Sequence, residues 1–267
     1  MAGDTKYDFL LLSPIRSRPF IHECASALES LAALIESGFV MSPRIVDIAY
    51  QIIAFLFAIS VHESAHAWTA SRCGDPTARM LGRVSLNPIR HIDLFGTIIL
   101  PLVAAISGIP LLGWAKPTPV DARNFRNPTL DDILTSVAGP VSNFLVATVA
   151  LLVLGAISLS SSSGHALIRG LPAGFMGAGS ESAWAPIAKL LYAFMIINIV
   201  LAVFNLIPIP PLDGSHVLRH YLPDPLRVMY NRIGIFALLA LVYLGGGLLW
   251  GLIRPFLRFY LFLLGRF

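Results

Sequence analysis

His62 and His66 bracket the run His62-Glu63-Ser64-Ala65-His66, whose residue types and spacing could bind a metal ion. Two histidines four residues apart lie on one face of a helix, one turn apart. That spacing lets both imidazoles bind one tetrahedral zinc ion, and the glutamate can then act as general base on a water molecule that zinc activates. Because five residues alone occur by chance in many chains, the hypothesis needs a third ligand and a suitable setting.

The composition indicates that this run belongs to an integral membrane protein. Of the 267 residues, 56% are hydrophobic and 13% are charged, whereas about 25% are charged in a typical soluble domain. The net charge of +4 is modest, and Lys and Arg cluster between apolar segments, which is typical of membrane topology rather than of nucleic-acid binding. The two cysteines form no Cys-x-x-Cys pair, so neither a disulfide framework nor a thiolate zinc site is indicated.

The apolar segments predict an all-α polytopic membrane protein with about four to six transmembrane helices. Four helices are predicted at residues 43–72, 132–159, 187–207 and 233–253. A further apolar stretch, residues 94–112, is interrupted by Gly96, Pro101, Gly108 and Pro110. We expect this stretch to be re-entrant or broken, between the first two core helices.

Residues 1–40 differ in character from residues 41–267, which we interpret as one membrane-embedded domain. No stretch among the first 40 residues reaches the roughly 20 apolar residues that a span needs, and a signal-peptide pattern is not clear. We interpret them as a peripheral or poorly ordered extension. The alternative is that translation starts at Met41 and that these residues are not native.

Asp213 is the candidate for the third ligand. It follows Pro208, Pro210 and Pro211, which end the helix predicted over residues 187–207 and remove backbone donors. Irregular backbone at membrane depth is tolerated only inside protein or beside a wet cavity, and an ionisable residue there suggests a functional site. The alternative is an exposed loop aspartate just outside the bilayer.

Topology links Asp213 to His62. The two can share a metal only if residues 94–112 do not cross the membrane, because one further crossing would put them on opposite faces. With 94–112 re-entrant, the basic residues divide unequally between the two sides. One side holds Arg72, Arg79, Arg83, Arg90, Lys116, Arg123, Arg126, Arg219, Arg227 and Arg232, and the other holds Arg44, Arg169 and Lys189. By the positive-inside rule, the site is expected on the cytosolic side.

The motifs resemble those of the site-2 protease family of intramembrane zinc metalloproteases. The matching pieces are the run His62–His66 after an apolar segment, Gly139-Pro140 followed by Asn143, and Asn205–Gly214, which reads Asn-x-x-Pro-x-Pro-Pro-Leu-Asp-Gly. Residues 82–88 and 113–120 resemble a compact bacterial branch of the family. The resemblance covers about residues 43–250.

The resemblance implies the roles of the site residues. His62, His66 and Asp213 would bind one zinc ion per chain, and Glu63 would be the general base. Asn205 would help to hold the substrate or the developing oxyanion.

Other polar residues admit two interpretations each. Asn143 is either an interhelical hydrogen-bond donor or a contact for the substrate or oxyanion. His91 and Asp93 are expected to be solvated loop residues, with second-shell partners of the metal as the alternative. His216 is a weaker candidate ligand, because three ligands already leave the one open position that a catalytic zinc keeps.

We therefore expect an intramembrane zinc endopeptidase that cleaves peptide bonds in or near the transmembrane segments of membrane proteins. Its expected partners are such a substrate, the lipid bilayer and an upstream protease that could act first, but no nucleic acid. Its expected location is the bacterial cell membrane, with the active site towards the cytosol. No inserted PDZ or CBS domain is visible, which leaves substrate selection unexplained. The alternatives are a catalytically silent scaffold or chaperone of the same fold and a small proton-coupled transporter.

Overall fold

The computed structural model describes residues 43–100, 102–103, 114–173 and 182–267, and these residues form helices and connecting loops without a β-strand. Residues 46–267 belong to one compact unit. The predicted extension over residues 1–40 lies outside the described residues, so both interpretations of it stay predictions.

Seven helices of seven residues or more are described. They are α1 (Pro43–Cys73), α2 (Pro128–Ser160), α3 (Ser162–Gly170), α4 (Ala185–Asn205), α5 (Asp213–Arg219), α6 (Asp224–Tyr243) and α7 (Gly246–Leu264). Five helices of the described chain, α1, α2, α4, α6 and α7, are long and apolar enough to cross a membrane. The predicted all-α polytopic membrane fold is confirmed.

Proline and glycine set the helix ends. Pro128 and Pro186 lie in the first turns of α2 and α4, where a missing backbone N–H costs nothing. Gly74 follows α1 with φ of 118°, a conformation that side-chain-bearing residues rarely adopt, and Pro76 comes two residues later. Short helical segments at Thr77–Met80, Pro88–Arg90 and Ala122–Asn124 complete the connections around the site.

The single span predicted over residues 233–253 is wrong. The structure has two helices there, α6 and α7, joined at Leu244 and Gly245. Three consecutive glycines, Gly245 to Gly247, favour a break because they gain the most backbone freedom outside a helix. Pro255, expected to break or kink the span, instead lies inside α7.

The residues that precede and follow the undescribed part of the 94–112 stretch lie side by side. Leu94–Ile99 forms one π-helical segment, and the backbone N–H of Trp114 donates to the Gly96 carbonyl at 3.1 Å. The Thr97 hydroxyl donates to the Trp114 carbonyl at 2.7 Å. Because its two ends are hydrogen-bonded together, the stretch does not carry the chain to the other face, which agrees with a re-entrant or broken segment. Residues 101 and 104–113 lie outside the described part.

The main core forms where α2 packs against α4, with α3 and α7 at its edges. Leu154 of α2 and Met195 and Ile199 of α4 are fully buried there. The same two helices carry the polar residues that lie next to the histidines of α1. Packing in the core therefore also fixes the position of these polar residues.

Candidate metal centre

Three side chains from distant parts of the chain meet at one point. The Nε2 atom of His62 lies 3.0 Å from Oδ2 of Asp213, and the Nε2 atom of His66 lies 3.3 Å from the same oxygen. One ligand atom from each residue lies within 4.8 Å of the other two. Both histidines are buried, so the three groups face one another rather than solvent.

The far side of each imidazole is occupied by an acceptor. Nδ1 of His62 donates to Oδ1 of Asn143 at 2.6 Å, and Nδ1 of His66 donates to the Thr135 carbonyl at 2.7 Å. Since these oxygens can only accept, each Nδ1 must carry the proton. A neutral ring held in this way presents the lone pair of Nε2 towards Asp213, and this is the tautomer that binds a metal.

Asn143 belongs to a hydrogen-bonded chain across three helices. Its Nδ2 donates to Oδ1 of Asn198 at 2.6 Å and to the Ala58 carbonyl at 3.2 Å, while Asn198 donates to the Phe194 carbonyl at 2.8 Å. These donors fix which end of the Asn143 amide faces His62. Because Asn143 is fully buried behind the imidazole, the contacts favour its interhelical role over contact with a substrate.

Gly139 of α2 backs the two ligand nitrogens. A Cβ atom there would lie 2.7 Å from Nε2 of His62, and closer still to Nε2 of His66. Only glycine therefore leaves the space in front of both lone pairs.

The position of Asp213 is fixed by the contact between α5 and α2. It is the first residue of α5, and α5 is tied to the buried carboxylate of Asp132 near the start of α2. Arg219 and His220 each lie 2.7 Å from Oδ2 of Asp132, and Nδ1 of His216 lies 3.3 Å from Oδ1. His216, weighed as a metal ligand, therefore faces Asp132, and it is not in the group around Asp213.

The proline-rich loop before Asp213 is held by α6. The Tyr230 hydroxyl donates to the Pro208 carbonyl at 2.8 Å. Gly234 lies against Pro210, where a Cβ atom would overlap the proline ring. The loop and α5 are thus fixed from two sides, which sets the position of the Asp213 carboxylate.

The donor set fits a divalent metal. Oδ2 of Asp213 is buried and receives no hydrogen bond from any described residue, although two imidazole nitrogens lie within 3.3 Å of it. A carboxylate oxygen and two imidazole nitrogens that converge in this way match a His₂Asp zinc site with one open position.

Glu63 is held by Thr118, on the extended segment that follows Trp114. Oε2 of Glu63 accepts from the Thr118 backbone N–H at 2.9 Å and from the Thr118 hydroxyl at 2.7 Å. Pro117 and Pro119 flank Thr118 and favour extended backbone at this point. Thr118 could not be recognised as a site residue from the sequence, because a threonine 55 residues from Glu63 carries no local signal of the contact.

Asn205 lies at the end of α4 and donates to the Leu201 carbonyl of its own helix at 3.0 Å. Among the described residues, no hydrogen bond joins it to the three converging side chains. Its role towards the substrate or oxyanion stays a prediction.

The expectation that His91 is solvated is wrong. Its side chain is fully buried, and its Nε2 lies 2.7 Å from the Ser85 carbonyl and 3.5 Å from the hydroxyl of Ser64, inside the His62–His66 run. His91 thus stabilises the packing of the segment around Ser85 against the His62–His66 run. Asp93 caps the Leu94–Ile99 segment by accepting from the Phe95 and Gly96 backbone N–H groups.

Two of the three converging side chains, His62 and His66, lie within the candidate span of α1. His62 is 16 residues beyond Val46, the start of that span, which places it about 24 Å along a helix that rises 1.5 Å per residue.

Comparisons with known proteins agree with this geometry. The model of the family described as peptidase family M50 matches residues 50–244. YwhC of Bacillus subtilis (strain 168), named as a candidate zinc metalloprotease, is 34% identical over 210 residues, which are 77% of this chain and 86% of YwhC. Two proteins named as candidate zinc metalloproteases Rip2 match over 180 residues, covering 67% of this chain and 60% of each relative. The one from Mycolicibacterium smegmatis is 28% identical and the one from Mycobacterium tuberculosis (strain H37Rv) is 31% identical.

No solved structure matches the chain. The family model nevertheless covers most of the described helices, and the run His62–His66 lies within it. Peptidases of this family are membrane-embedded metalloproteases. The chain therefore belongs to peptidase family M50, the site-2 protease family of intramembrane metalloproteases.

Proposed function

We propose that His62, His66 and Asp213 hold one zinc ion per chain, and that Glu63 is the general base of peptide-bond hydrolysis. The observation that carries the proposal is the orientation of the two imidazoles. Each turns its Nδ1 to a protein acceptor and its Nε2 towards a buried Asp213 oxygen that accepts no hydrogen bond from the described residues.

Zinc bound there would acidify a water molecule and polarise the scissile carbonyl group. Glu63 accepts the proton of the attacking water and passes it to the leaving amine. Thr118 bonds to Oε2 of Glu63, which leaves Oε1 for this proton. Asn143 keeps the His62 ring in the required tautomer, and Asn205 helps to hold the substrate or the developing oxyanion.

The substrate class follows from the depth of the site. A side-chain triad about 24 Å along a spanning helix can be reached by a membrane-embedded segment of another protein. A helical peptide bond is shielded by its own hydrogen bonds, so the substrate must unwind locally before Glu63 can act. We infer membrane proteins with a transmembrane helix as substrates, and an upstream protease could prepare them.

The membrane and orientation are part of the proposal. The relatives come from bacteria, which supports the bacterial cell membrane. The described basic residues gather around the connections next to the site, including Arg83, Lys116 and Arg219. By the positive-inside rule, this distribution supports an active site towards the cytosol.

The test compares cells that carry the wild-type protein with cells that carry Glu63→Gln or Glu63→Asp. Membrane-protein fragments that contain a transmembrane helix should accumulate with Glu63→Gln, and they should disappear when the wild-type protein is restored. Glu63→Asp keeps a carboxylate but shortens its reach, so intermediate clearance is expected. If Glu63→Gln clears the same fragments at the wild-type rate, Glu63 is not the base.

A silent scaffold or a proton-coupled transporter would make a different prediction. Neither needs both imidazole Nε2 atoms to face one carboxylate. A scaffold would leave membrane fragments unchanged by Glu63→Gln, and a transporter would carry protons in the absence of zinc.

A further inference from the structure

The segment between α1 and the π-helical turn exposes apolar side chains outside the candidate spans. Met80, Ile89 and Phe95 are 81%, 77% and 65% exposed. Leu81, Leu86 and Leu94 on the same segment are also exposed. So many exposed apolar side chains in one short stretch of chain suggest a contact with protein or membrane rather than with water.

A basic cleft adjoins this apolar segment. It has a volume of about 640 Å³ and lies between residues 81–90 and the extended segment that begins at Trp114. Three cations line it, Arg83, Arg90 and Lys116. In the described part of the chain, none of the three forms an ion pair with a carboxylate.

Arg83 places a largely buried positive charge beside the cleft. Its side chain is only 8% exposed, and its guanidinium donates to the Arg90 carbonyl. The Arg90 guanidinium in turn donates to the Gly82 carbonyl at 3.1 Å. These bonds fix the two side chains beside the cleft but do not neutralise their charge. A buried cation is costly unless an anion compensates it.

We propose that this cleft binds the phosphate of an anionic lipid head group, such as that of a phosphatidylglycerol. Arg83, Arg90 and Lys116 provide the positive charge, and guanidinium groups bind phosphate through paired N–H donors. Leu81 and Ile89 line the same cleft and are exposed, so they offer an apolar surface to the acyl chains. This pairing of charge with apolar contact distinguishes a lipid from free phosphate.

The cleft adjoins the segment that holds the candidate base. Pro117 and Pro119 line it, while Thr118 between them bonds to Glu63. The lipid site is nevertheless separate from the metal centre, and its existence does not depend on the proposed proteolysis.

The test is native mass spectrometry of the purified full chain, titrated with dioleoylphosphatidylglycerol or dioleoylphosphatidylcholine. The wild-type protein should bind the first phosphatidylglycerol more tightly than phosphatidylcholine. Lys116→Gln should weaken phosphatidylglycerol binding about five-fold, the effect expected for one basic residue at an anionic lipid surface. Arg90→Gln should act similarly, and neither change should alter phosphatidylcholine binding.

Arg126→Gln is the matched control. Arg126 is exposed and carries the same charge, but its side chain lies over Gly74, not in the cleft. It should leave phosphatidylglycerol binding unchanged. Lys116 is itself exposed, so its replacement tests the cleft without removing the buried Arg83.

Three results would overturn the proposal. The first is equal weakening by Arg126→Gln and Lys116→Gln, which would indicate only a general surface charge. The second is no preference for the anionic lipid. The third is displacement of the lipid by millimolar inorganic phosphate or by an acidic peptide, which would assign the cleft to a soluble anion or a protein ligand.

Discussion

At the residue scale, Gly139 contributes to the metal centre because it has no side chain that would fill the space beside the two imidazoles. The ring nitrogens of His62 and His66 face the bare Cα of Gly139, and a methyl group there would enter the space in front of them. The sequence indicates Gly139-Pro140 only as part of the family pattern. Its distance to the ligands could be known only from the packing of α2 on α1.

Gly139→Ala should therefore lower the zinc content at least ten-fold, because the new Cβ must displace one or both ligand nitrogens. Zinc per chain by emission spectrometry is the measurement. Gly251→Ala is the control, since a Cβ at Gly251 of α7 meets nothing within 4 Å. Normal zinc content in Gly139→Ala would show that the metal is bound elsewhere.

Thr118→Val should reduce the rate of proteolysis by between about ten- and a hundred-fold, because Glu63 loses one of the donors that orient it. The valine keeps the shape and the backbone N–H bond, so zinc content and thermal stability should stay unchanged. Thr118→Ser restores the hydroxyl and should restore most of the rate. A wild-type rate in Thr118→Val would exclude the positioning role.

At the residue scale, the sequence predicts contacts where spacing carries chemistry and misses those that depend on packing. The spacing of His62 and His66 specifies a shared helix face, and the prolines before Asp213 indicated that residue, with which the structure brings both histidines together. Thr118 could not be found, because its contact with Glu63 depends on a long-range approach. His91 was misjudged because a histidine in a polar stretch gives no sign of burial.

At the element scale, the position of Asp213 depends on how α5 docks on α2. Asp132 is the buried anchor for this contact and joins Arg219 and His220. The sequence shows Asp132 only as part of a charged connector, and its partners lie 84 to 88 residues away. Because Asp132 is buried, the loss of one partner leaves a poorly solvated charge uncompensated, which costs more than breaking a surface ion pair.

Asp132→Asn should weaken zinc binding by roughly ten- to a hundred-fold, since α5 is no longer held and the carboxylate of Asp213 is displaced. Competition with a chelator measures the affinity. The thermal unfolding temperature should also fall, because Arg219 loses its buried partner. The double variant Asp132→Asn with Arg219→Gln should lose less stability than the sum of the single changes. Additive losses would show that the two residues do not interact.

A second carboxylate fixes the end of α1. Asp75 is buried and accepts from Thr77, from Asn124 and from the backbone N–H of Asp121. Burial raises the pKa of Asp75, but these hydrogen bonds lower it more, so the pKa lies below its usual value. The stabilisation is thus fully present above the pKa of the unfolded chain, about 3.9, and is lost as pH falls through the lower folded pKa.

Asp75→Asn should lower the unfolding free energy by about 1–3 kcal/mol at pH 7, the value of hydrogen bonds to a charged group. The difference from the wild-type protein should shrink below about pH 4, as the wild-type carboxyl also becomes neutral. Thermal unfolding in detergent across this pH range is the measurement. Asp224→Asn, at an exposed carboxylate, is the control and should show no such dependence. A difference that is constant down to pH 2 would contradict the account.

The helix boundaries show which sequence signals were sufficient to predict a helix. Long apolar runs predicted α1, α2 and α4 to within a few residues. The hairpin of α6 and α7 was missed because hydropathy stays high across Gly245–Gly247. Only the local cost of glycine in a helix marks the break, and the apolar average conceals it.

At the scale of the whole molecule, the fold brings residues 62 and 213 together by an even number of crossings between them. The chain crosses in α2 and returns in α4, and the hydrogen bonds of Gly96 and Thr97 with Trp114 keep the two described ends of the stretch before α2 together. Charge asymmetry and parity predicted this arrangement, because both depend on sequence order rather than on packing. The side-chain contacts that hold Glu63 and Asp213 could not be predicted in that way.

The central claim is that His62, His66 and Asp213 bind one zinc ion, and zinc stoichiometry tests it most directly. The wild-type chain, purified without chelators, should carry one zinc ion by emission spectrometry. His62→Ala, His66→Ala and Asp213→Ala should each lose it, whereas Glu63→Gln should keep it while losing proteolysis. A wild-type chain that binds no zinc when zinc is supplied, or an Asp213→Ala variant that keeps one ion at wild-type affinity, would contradict the account.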